Sequence, residues 1–556
     1  MKDNPKSKKV TVNKEFQRYF KEIRRIYLQG DYTEWTLRTP FENFVKSLNS
    51  NYNLIQEPKR TKGLGAPDFK AFFGSRKVGF IETKDLGENL DKVLESDQLR
   101  KYTESVDNLV VTNYIRFILI RTGRKVFDFN LFSMSDLENA SFVIPNDKVE
   151  TFVQFINYFF GYKLPTITSA EELAKELSKR TKLLKELAKE QLEEDLKSVE
   201  NGETPSSIYD FYLGIKELIK DINVEDCADA YAQTVTYSLF LARRNCPNEL
   251  DRRNASFYIP KNIGIIKRIF INISGDEFPS NISWIIDDIL DVLNAAKIGE
   301  ILTKIDRRGK KDKDPIIFFY EDFLNYYEPE KRKHLGVYYT PRPVVNFIVN
   351  SVHSILKKYF DKPLGFADDD VKVLDPAIGT GTFFWIAFLV ALNELKSQGL
   401  RGLINEKIEN HILKHFYGFE ILITPYVISH LKLTDLLQRW YYEFKNKDRI
   451  QVYLTNTLEP TEVHGLLPFL REITEESRIA NQIKLKKSIL VIIGNPPYSV
   501  SSSNKSRWIL EKMKDYKKGL NERNIQPLDD DYIKFIRFAQ WKIDQNGHYH
   551  RVYHKQ

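Results

Sequence analysis

The 556 residues exceed what a single hydrophobic core organises, so about three domains are expected. Apolar residues make up 42% and aromatic residues 13% of the chain, enough to fill such cores, and the net charge of +8 suits a polyanionic partner. Two cysteines, Cys227 and Cys246, exclude a disulfide framework and a cysteine-rich zinc site and fit a reducing cytoplasm, while no apolar stretch approaches the roughly 18 residues of a membrane span.

Residues 1–160 predict a compact α/β domain. Its β-rich runs are Val78–Glu82, Leu109–Thr112, Phe117–Ile120 and Val126–Phe129, with helical patterns before and between them. Pro67-Asp68 precedes Ile81-Glu82-Thr83-Lys84, and the period of two along a strand puts Glu82 and Lys84 on one face. The carboxylates of Asp68 and Glu82, with a strand carbonyl, offer the oxygen ligands that Mg²⁺ prefers. Such a metal would stabilise charge developing at phosphorus, with Lys84 positioning or activating water. The plain alternative for Glu-x-Lys is a surface ion pair.

Residues 161–330 predict a helical connector. Ser169-Ala170-Glu171-Glu172 starts a helix whose Leu173, Leu177, Leu183, Leu184 and Leu187 form one apolar stripe among Lys and Glu. Asn201-Gly202 breaks it, and further helices are expected around 208–221, 226–244 and 282–304. The stretch Asp306–Lys313 reads as a solvated basic loop.

From residue 331 to 556, strand–loop–helix alternation returns. The apolar run Val371–Leu374 leads into Asp375-Pro376-Ala377-Ile378-Gly379-Thr380-Gly381, where the two glycines let backbone approach a ligand that a Cβ would obstruct. A second run, His415–Phe419, ends at Glu420, a carboxylate suited to the ribose hydroxyls of a nucleoside. A third, Ser488–Gly494, leads directly into Asn495-Pro496-Pro497-Tyr498. The prolines fix φ and carry no N–H, leaving rigid carbonyl acceptors. An adenine amino group is a poor nucleophile because its lone pair is delocalised into the ring. Acceptors for both its hydrogens, from Asn495 and Pro496, would localise that pair, and Tyr498 would stack on a base flipped from the duplex.

These motifs, in this order, resemble the amino-methyltransferases of the N6-adenine class. The resemblance implies S-adenosylmethionine as cofactor. It assigns Tyr339, Thr340 and Pro341 to the methionine moiety, Asp375, Ala377, Gly379 and Gly381 to the cofactor loop, and Glu420 to the ribose. Asn456, in Leu454-Thr455-Asn456-Thr457-Leu458, lies by that resemblance near the adenine ring, where many relatives have Asp. The front of the chain resembles PD-(D/E)XK nucleases, which adds Glu42 as a third metal ligand and Gln98-x-x-x-Tyr102 on a following helix. Together, over about 40–130 and 331–545, the chain looks like a Type IIG restriction–modification enzyme acting on double-stranded DNA. No Gly-x-x-x-x-Gly-Lys-[Ser/Thr] phosphate loop occurs, which argues against ATP-driven translocation.

The expected architecture is therefore α/β: a nuclease domain, a helical connector and a Rossmann-like, doubly wound methyltransferase domain, incomplete at its C-terminus. Asp531–Ala539 looks like the next family helix, whereas Gly547–Gln556 does not read as the strand that should follow. That departure predicts a truncated or split enzyme, with Ile489–Ile493 at an open sheet edge and a second polypeptide supplying further strands and target recognition. Two alternatives stay open: a chain in which only the nuclease works, and a non-catalytic remnant that binds DNA or cofactor.

Overall fold

The structure is a computed structural model that describes residues 5–30, 32–56, 66–219, 222–259, 264–275, 278–307, 315–327, 340–445, 447–460, 468–498, 502, 504–522 and 524–545. It divides into two compact units. One comprises Met1–Ile167, Lys179–Glu190 and Pro279–Ala296, the other Thr168–Ser178, Gln191–Phe278 and Lys297–Gln556.

The first unit is built on a six-stranded mixed sheet of β1 (Tyr52–Gln56), β2 (Phe69–Phe73), β3 (Arg76–Thr83), β4 (Asn108–Thr112), β5 (Arg116–Arg121) and β6 (Arg124–Asn130), in that order. Only β3 and β4 run parallel. The β-rich runs expected from the sequence all lie within β3 to β6, and β4 is buried along its whole length, its apolar Leu109–Val111 flanked by buried Asn108 and Thr112. Helices Pro5–Gln29, Glu34–Leu48 and Asn146–Phe160 contribute to an aromatic core with this sheet. There Phe16 meets Phe44 edge-on at 4.9 Å and Phe152 at 5.4 Å, and Tyr19 stacks on Phe44 at 4.3 Å. Trp284, from helix Ser280–Ala295, packs edge-on against Phe80 and Tyr102. Beside it, buried Asp288 accepts from Lys77 Nζ at 2.9 Å and Arg180 Nε at 2.6 Å. The single helix expected over 282–304 is two, Ser280–Ala295 and Ile298–Arg307. The break falls at Ala296, which takes extended dihedrals and bridges to Ile167.

In the second unit, four parallel strands lie in the order β10-β7-β8-β9: β7 is Val373–Asp375, β8 Phe416–Glu420, β9 Val452–Leu454 and β10 Val491–Ile492. Helices Thr382–Ser397, Ile423–Arg439 and Pro468–Lys486 follow β7, β8 and β9. The chain adds β8 and β9 on one side of β7, then crosses to place β10 on the other. The carboxyl ends of β7 and β10 thus form the switch point where parallel sheets of this kind bind ligands. Among the described residues β10 is the edge of this sheet. Ile489 and Ile493 flank it and are buried, Val491 and Ile492 pair as strand, and Ile493 N donates to Leu374 O at 3.0 Å.

Helices Ser207–Leu218 and Val224–Asn245 belong to the same unit. Thr234 and Thr424 hydroxyls meet at 3.2 Å, Tyr327 donates to Asp229 at 2.6 Å, and Arg244 pairs with Asp435. Helix Ala170–Glu200 is capped by Ser169, buries Leu173, Leu177, Leu183, Leu184 and Leu187, and ends at Asn201-Gly202, where Gly202 has φ +78°. Among the described residues no helix is long and apolar enough to cross a membrane.

Candidate active sites

At the switch point of the second unit, Asp375 ends β7 fully buried. Its Oδ1 accepts from Ala377 N at 3.1 Å, while Oδ2 has no hydrogen-bond partner. Burial, with the Glu420 charge adding to it, drives the carboxyl far above the usual range against the pull of the Ala377 N–H. The loop then turns through Gly379 at φ +54° and Gly381 at φ +77°, a region L-residues avoid, and Gly381 starts helix Thr382–Ser397. A Cβ on Gly379 would meet open space, so the backbone there is bare rather than packed.

Glu420 ends β8. Its Oε1 accepts from Ile421 N and Leu422 N, each at 2.9 Å, and its Oε2 from Gly379 N at 2.9 Å. Burial pushes this carboxyl up while the three N–H donors hold it down. The same carboxylate therefore ties the glycine loop to the end of the neighbouring strand. After β9, Thr455 N donates to Glu420 O at 2.7 Å and Thr457 Oγ1 to Pro376 O at 2.5 Å, so the third loop is fastened to the first two. Asn456 Oδ1 accepts from Leu458 N, and its Nδ2 donates to Asn504 Oδ1, both at 3.0 Å.

β10 delivers Gly494 beside Asp375. A Cβ at Gly494 would lie 2.5 Å from Asp375 Oδ1, so only glycine fits where the two strand ends meet. Asn495 and Pro496 follow half-buried, and Pro497 and Tyr498 exposed. Tyr498 donates to Asn495 Oδ1 at 3.3 Å and stacks on Tyr532 with centroids 5.2 Å apart and planes at 22°. Asp375, Ala377, Gly379, Gly381, Glu420 and Asn456 thus share strand ends and loops joined by hydrogen bonds, and β10 carries Asn495–Tyr498 alongside them. Thr340 and Pro341 directly precede helix Arg342–Tyr359, and Tyr339 lies outside the described residues.

In the first unit, Asp68 sits just before β2, with Glu82 and Lys84 on and after β3. Lys84 Nζ donates to Glu82 Oε1 at 2.7 Å, while Glu82 Oε2 is buried without a partner. Asp68 Oδ2 accepts from Thr83 N at 2.6 Å and Thr83 Oγ1 at 2.8 Å, and its Oδ1 pairs with Arg38. Burial, the Glu82 charge and the Glu34 charge push Asp68 up to about 8 against Arg38. Burial raises Glu82 as well, opposed by Lys84. The helix acid beside this pair is Glu34, which accepts from Thr83 Oγ1 at 2.8 Å and pairs with Arg38. Glu42, further along the same helix, instead accepts from Gln56 Nε2 at 2.7 Å. Gln98 Nε2 reaches Tyr102 Oη at 3.4 Å on helix Asp97–Ser105. Among the described residues no group of three or more His, Cys, Asp or Glu is arranged to hold a metal ion.

Sequence reasoning missed Glu34, Arg38, Gly494 and Lys484. Glu34-x-x-x-Arg38 carries the spacing of a helical ion pair and was the available signal for the first two. Gly494 adjoins Asn495–Tyr498, and its need for hydrogen at Cα depends on the strand beside it.

Solved structures offer likenesses of low identity. A DrdV–DNA complex has 19% identity and a TM-score of 0.48, over 96% of this chain and 49% of that one. A nuclease-deletion mutant of the Type ISP restriction-modification enzyme LlaGI, with a DNA substrate mimic, has 21% identity and a TM-score of 0.48, over 72% and 30%. DNA-bound LlaBIII, an ATP-dependent Type ISP restriction-modification enzyme, has 21% identity and a TM-score of 0.49, over 71% and 26%. The chain thus spans about half or less of these structures. No curated protein matches it. Residues 311–553, which include the parallel sheet and its three linked loops, match the N-6 DNA Methylase family model.

Proposed function

We propose that the chain transfers a methyl group from S-adenosylmethionine to N6 of an adenine flipped out of double-stranded DNA. The observation that carries this reading is the pairing of β7 with β10, which sets a buried, half-unpartnered Asp375 beside the loop of Asn495–Tyr498. The residues fit the cofactor. Asp375 Oδ2 offers an acceptor to a cationic or N–H group, Gly379 gives bare backbone, and Glu420 suits ribose hydroxyls. When bound, S-adenosylmethionine supplies a methyl group on a sulfonium that leaves as a neutral thioether.

The chain's own groups prepare the nucleophile. Asn495 Oδ1 and the Pro496 carbonyl accept hydrogen bonds from the two amino hydrogens, the base replacing the Tyr498 hydroxyl at Asn495, and the proton that the methylated nitrogen sheds passes to solvent. Tyr498, braced on one face by Tyr532, stacks its other face on the base and offsets the few kcal/mol that flipping costs. The first test is transfer of labelled methyl to mixed-sequence DNA. Incorporation at adenine N6, lost in Asn495→Ala, supports the reading; cofactor binding without incorporation in the intact chain counts against it.

For the first unit we propose Mg²⁺-dependent cleavage of DNA, supported by the orphaned Glu82 Oε2 and by burial and the Glu34 charge, which push both Asp68 and Glu82 up. An all-oxygen donor set from Asp68 and Glu82, with Glu34 near, fits a hard dication. Lys84 would position the attacking water, and Arg38 would yield its hold on Asp68. Glu42 takes no part in this version of the site.

A further inference from the structure

Lys484 is wholly buried in the second unit, near the C-terminal end of helix Pro468–Lys486. Its Nζ donates to Thr455 Oγ1 at 2.8 Å, Asn456 O at 2.6 Å and Glu459 O at 3.1 Å, and lies 5.4 Å from the Phe419 ring centroid. In its ammonium form, below about 7, the side chain carries three N–H donors on one atom. Three uncharged oxygens from one short loop converge on them, so a single side chain clamps both ends of the segment that holds Asn456. Burying a charge this way costs stability, which argues for a task beyond packing. Burial brings its pKa down to about 7, against the nearby Glu459 charge.

We propose that Lys484 is a positioning residue for cofactor binding: it fixes the Thr455–Glu459 loop so that Asn456 meets the adenine ring. This rests on the methyltransferase reading of that loop. The loop is also bonded to Glu420 and Pro376, so a slack loop would loosen the ribose acid and the Asp375 turn together.

An internal control comes from Lys542, equally buried, which donates to Lys484 O at 2.7 Å and makes no bond to the loop. The experiment is calorimetric titration of the full chain with S-adenosylhomocysteine, alongside thermal melts. Lys484→Met should weaken binding roughly 10- to 100-fold, and Thr455→Val, which removes one acceptor, roughly threefold to tenfold. Lys542→Met should lower the melting temperature yet leave the affinity within about twofold. Equal weakening by both lysine variants, or none by Lys484→Met, overturns the proposal in favour of a purely structural lysine. Should Lys484→Met fail to fold, Thr455→Val decides, and an unchanged affinity overturns the proposal. An intact chain that binds no S-adenosylhomocysteine brings down the methyltransferase reading, and the proposal with it.

Discussion

The two candidate sites answer buried negative charge in opposite ways. In the methylase region Asp375 and Glu420 are met by backbone N–H groups, from Ala377 in one case and from Gly379, Ile421 and Leu422 in the other. In the first unit Asp68 and Glu82 each pair with a side-chain cation, Arg38 and Lys84, and Asp68 also accepts from Thr83 N and Oγ1. Backbone donors are fixed in place and carry no net charge, so they orient a carboxyl group without supplying a counter-ion. Side-chain cations can move aside, so a dication can take their place without rebuilding the fold. The first arrangement suits a bulky organic cofactor, the second an exchangeable metal.

The largest effect that would break this contrast is on methyl transfer. Asn495→Ala should reduce labelled-methyl incorporation by roughly 10²- to 10³-fold, while S-adenosylhomocysteine still binds in calorimetry. Retained incorporation would remove the tetrapeptide from the chemistry. In the other unit, Glu82→Gln should reduce Mg²⁺-dependent cleavage of supercoiled plasmid by about 10²-fold and leave methyl transfer intact. Parallel loss of both activities would show the sites to be interdependent. Glu420→Gln should be milder. The amide cannot accept from three backbone N–H groups as a carboxylate does, so we expect roughly tenfold weaker binding and about 1–3 kcal/mol lower stability in urea melts.

The smallest effects are in the pH dependence, and here the two regions have opposite signs. Between its ordinary 3.8 and about 8, Asp68 is protonated when folded and ionised when unfolded, so its contribution to stability falls as pH rises. Subtracting Asp68→Asn melts from those of the unaltered chain should isolate that fall, and Mg²⁺ should abolish it. Between about 7 and its ordinary 10.5, Lys484 is neutral when folded and charged when unfolded, so its contribution grows with pH. A Lys484→Met difference curve that is flat over this range would contradict that contribution.

What the sequence revealed follows the same division. The parallel-sheet motifs were legible because their chemistry sits in contiguous residues at strand ends, where the backbone alone brings Asp375, Glu420 and Asn495 toward one rim. Residues chosen by packing were not. Glu34 and Glu42 are about two turns apart on one helix and face similar directions, so periodicity cannot choose between them; the hydrogen bond from Thr83 does. Lys484 sits among lysines at a helix end and reads as solvated, until the loop after β9 and Lys542 close over it. The break at Ala296 has no glycine or proline to announce it, since it is imposed by the bridge to Ile167.

The contact between Gly494 and Asp375 has one more consequence. Loops growing from neighbouring parallel strands inherit the separation of those strands, about 4.8 Å, which is set by backbone hydrogen bonding and not by any side chain. On the methyltransferase reading proposed above, the spacing between the group that would hold the donor and the group that would present the acceptor is thus a dimension of the sheet. Substitutions in the surrounding helices can change how tightly either partner binds and leave that gauge untouched. The tolerance of the seam itself is small, because any side chain at Gly494 would have to displace the Asp375 carboxylate to fit.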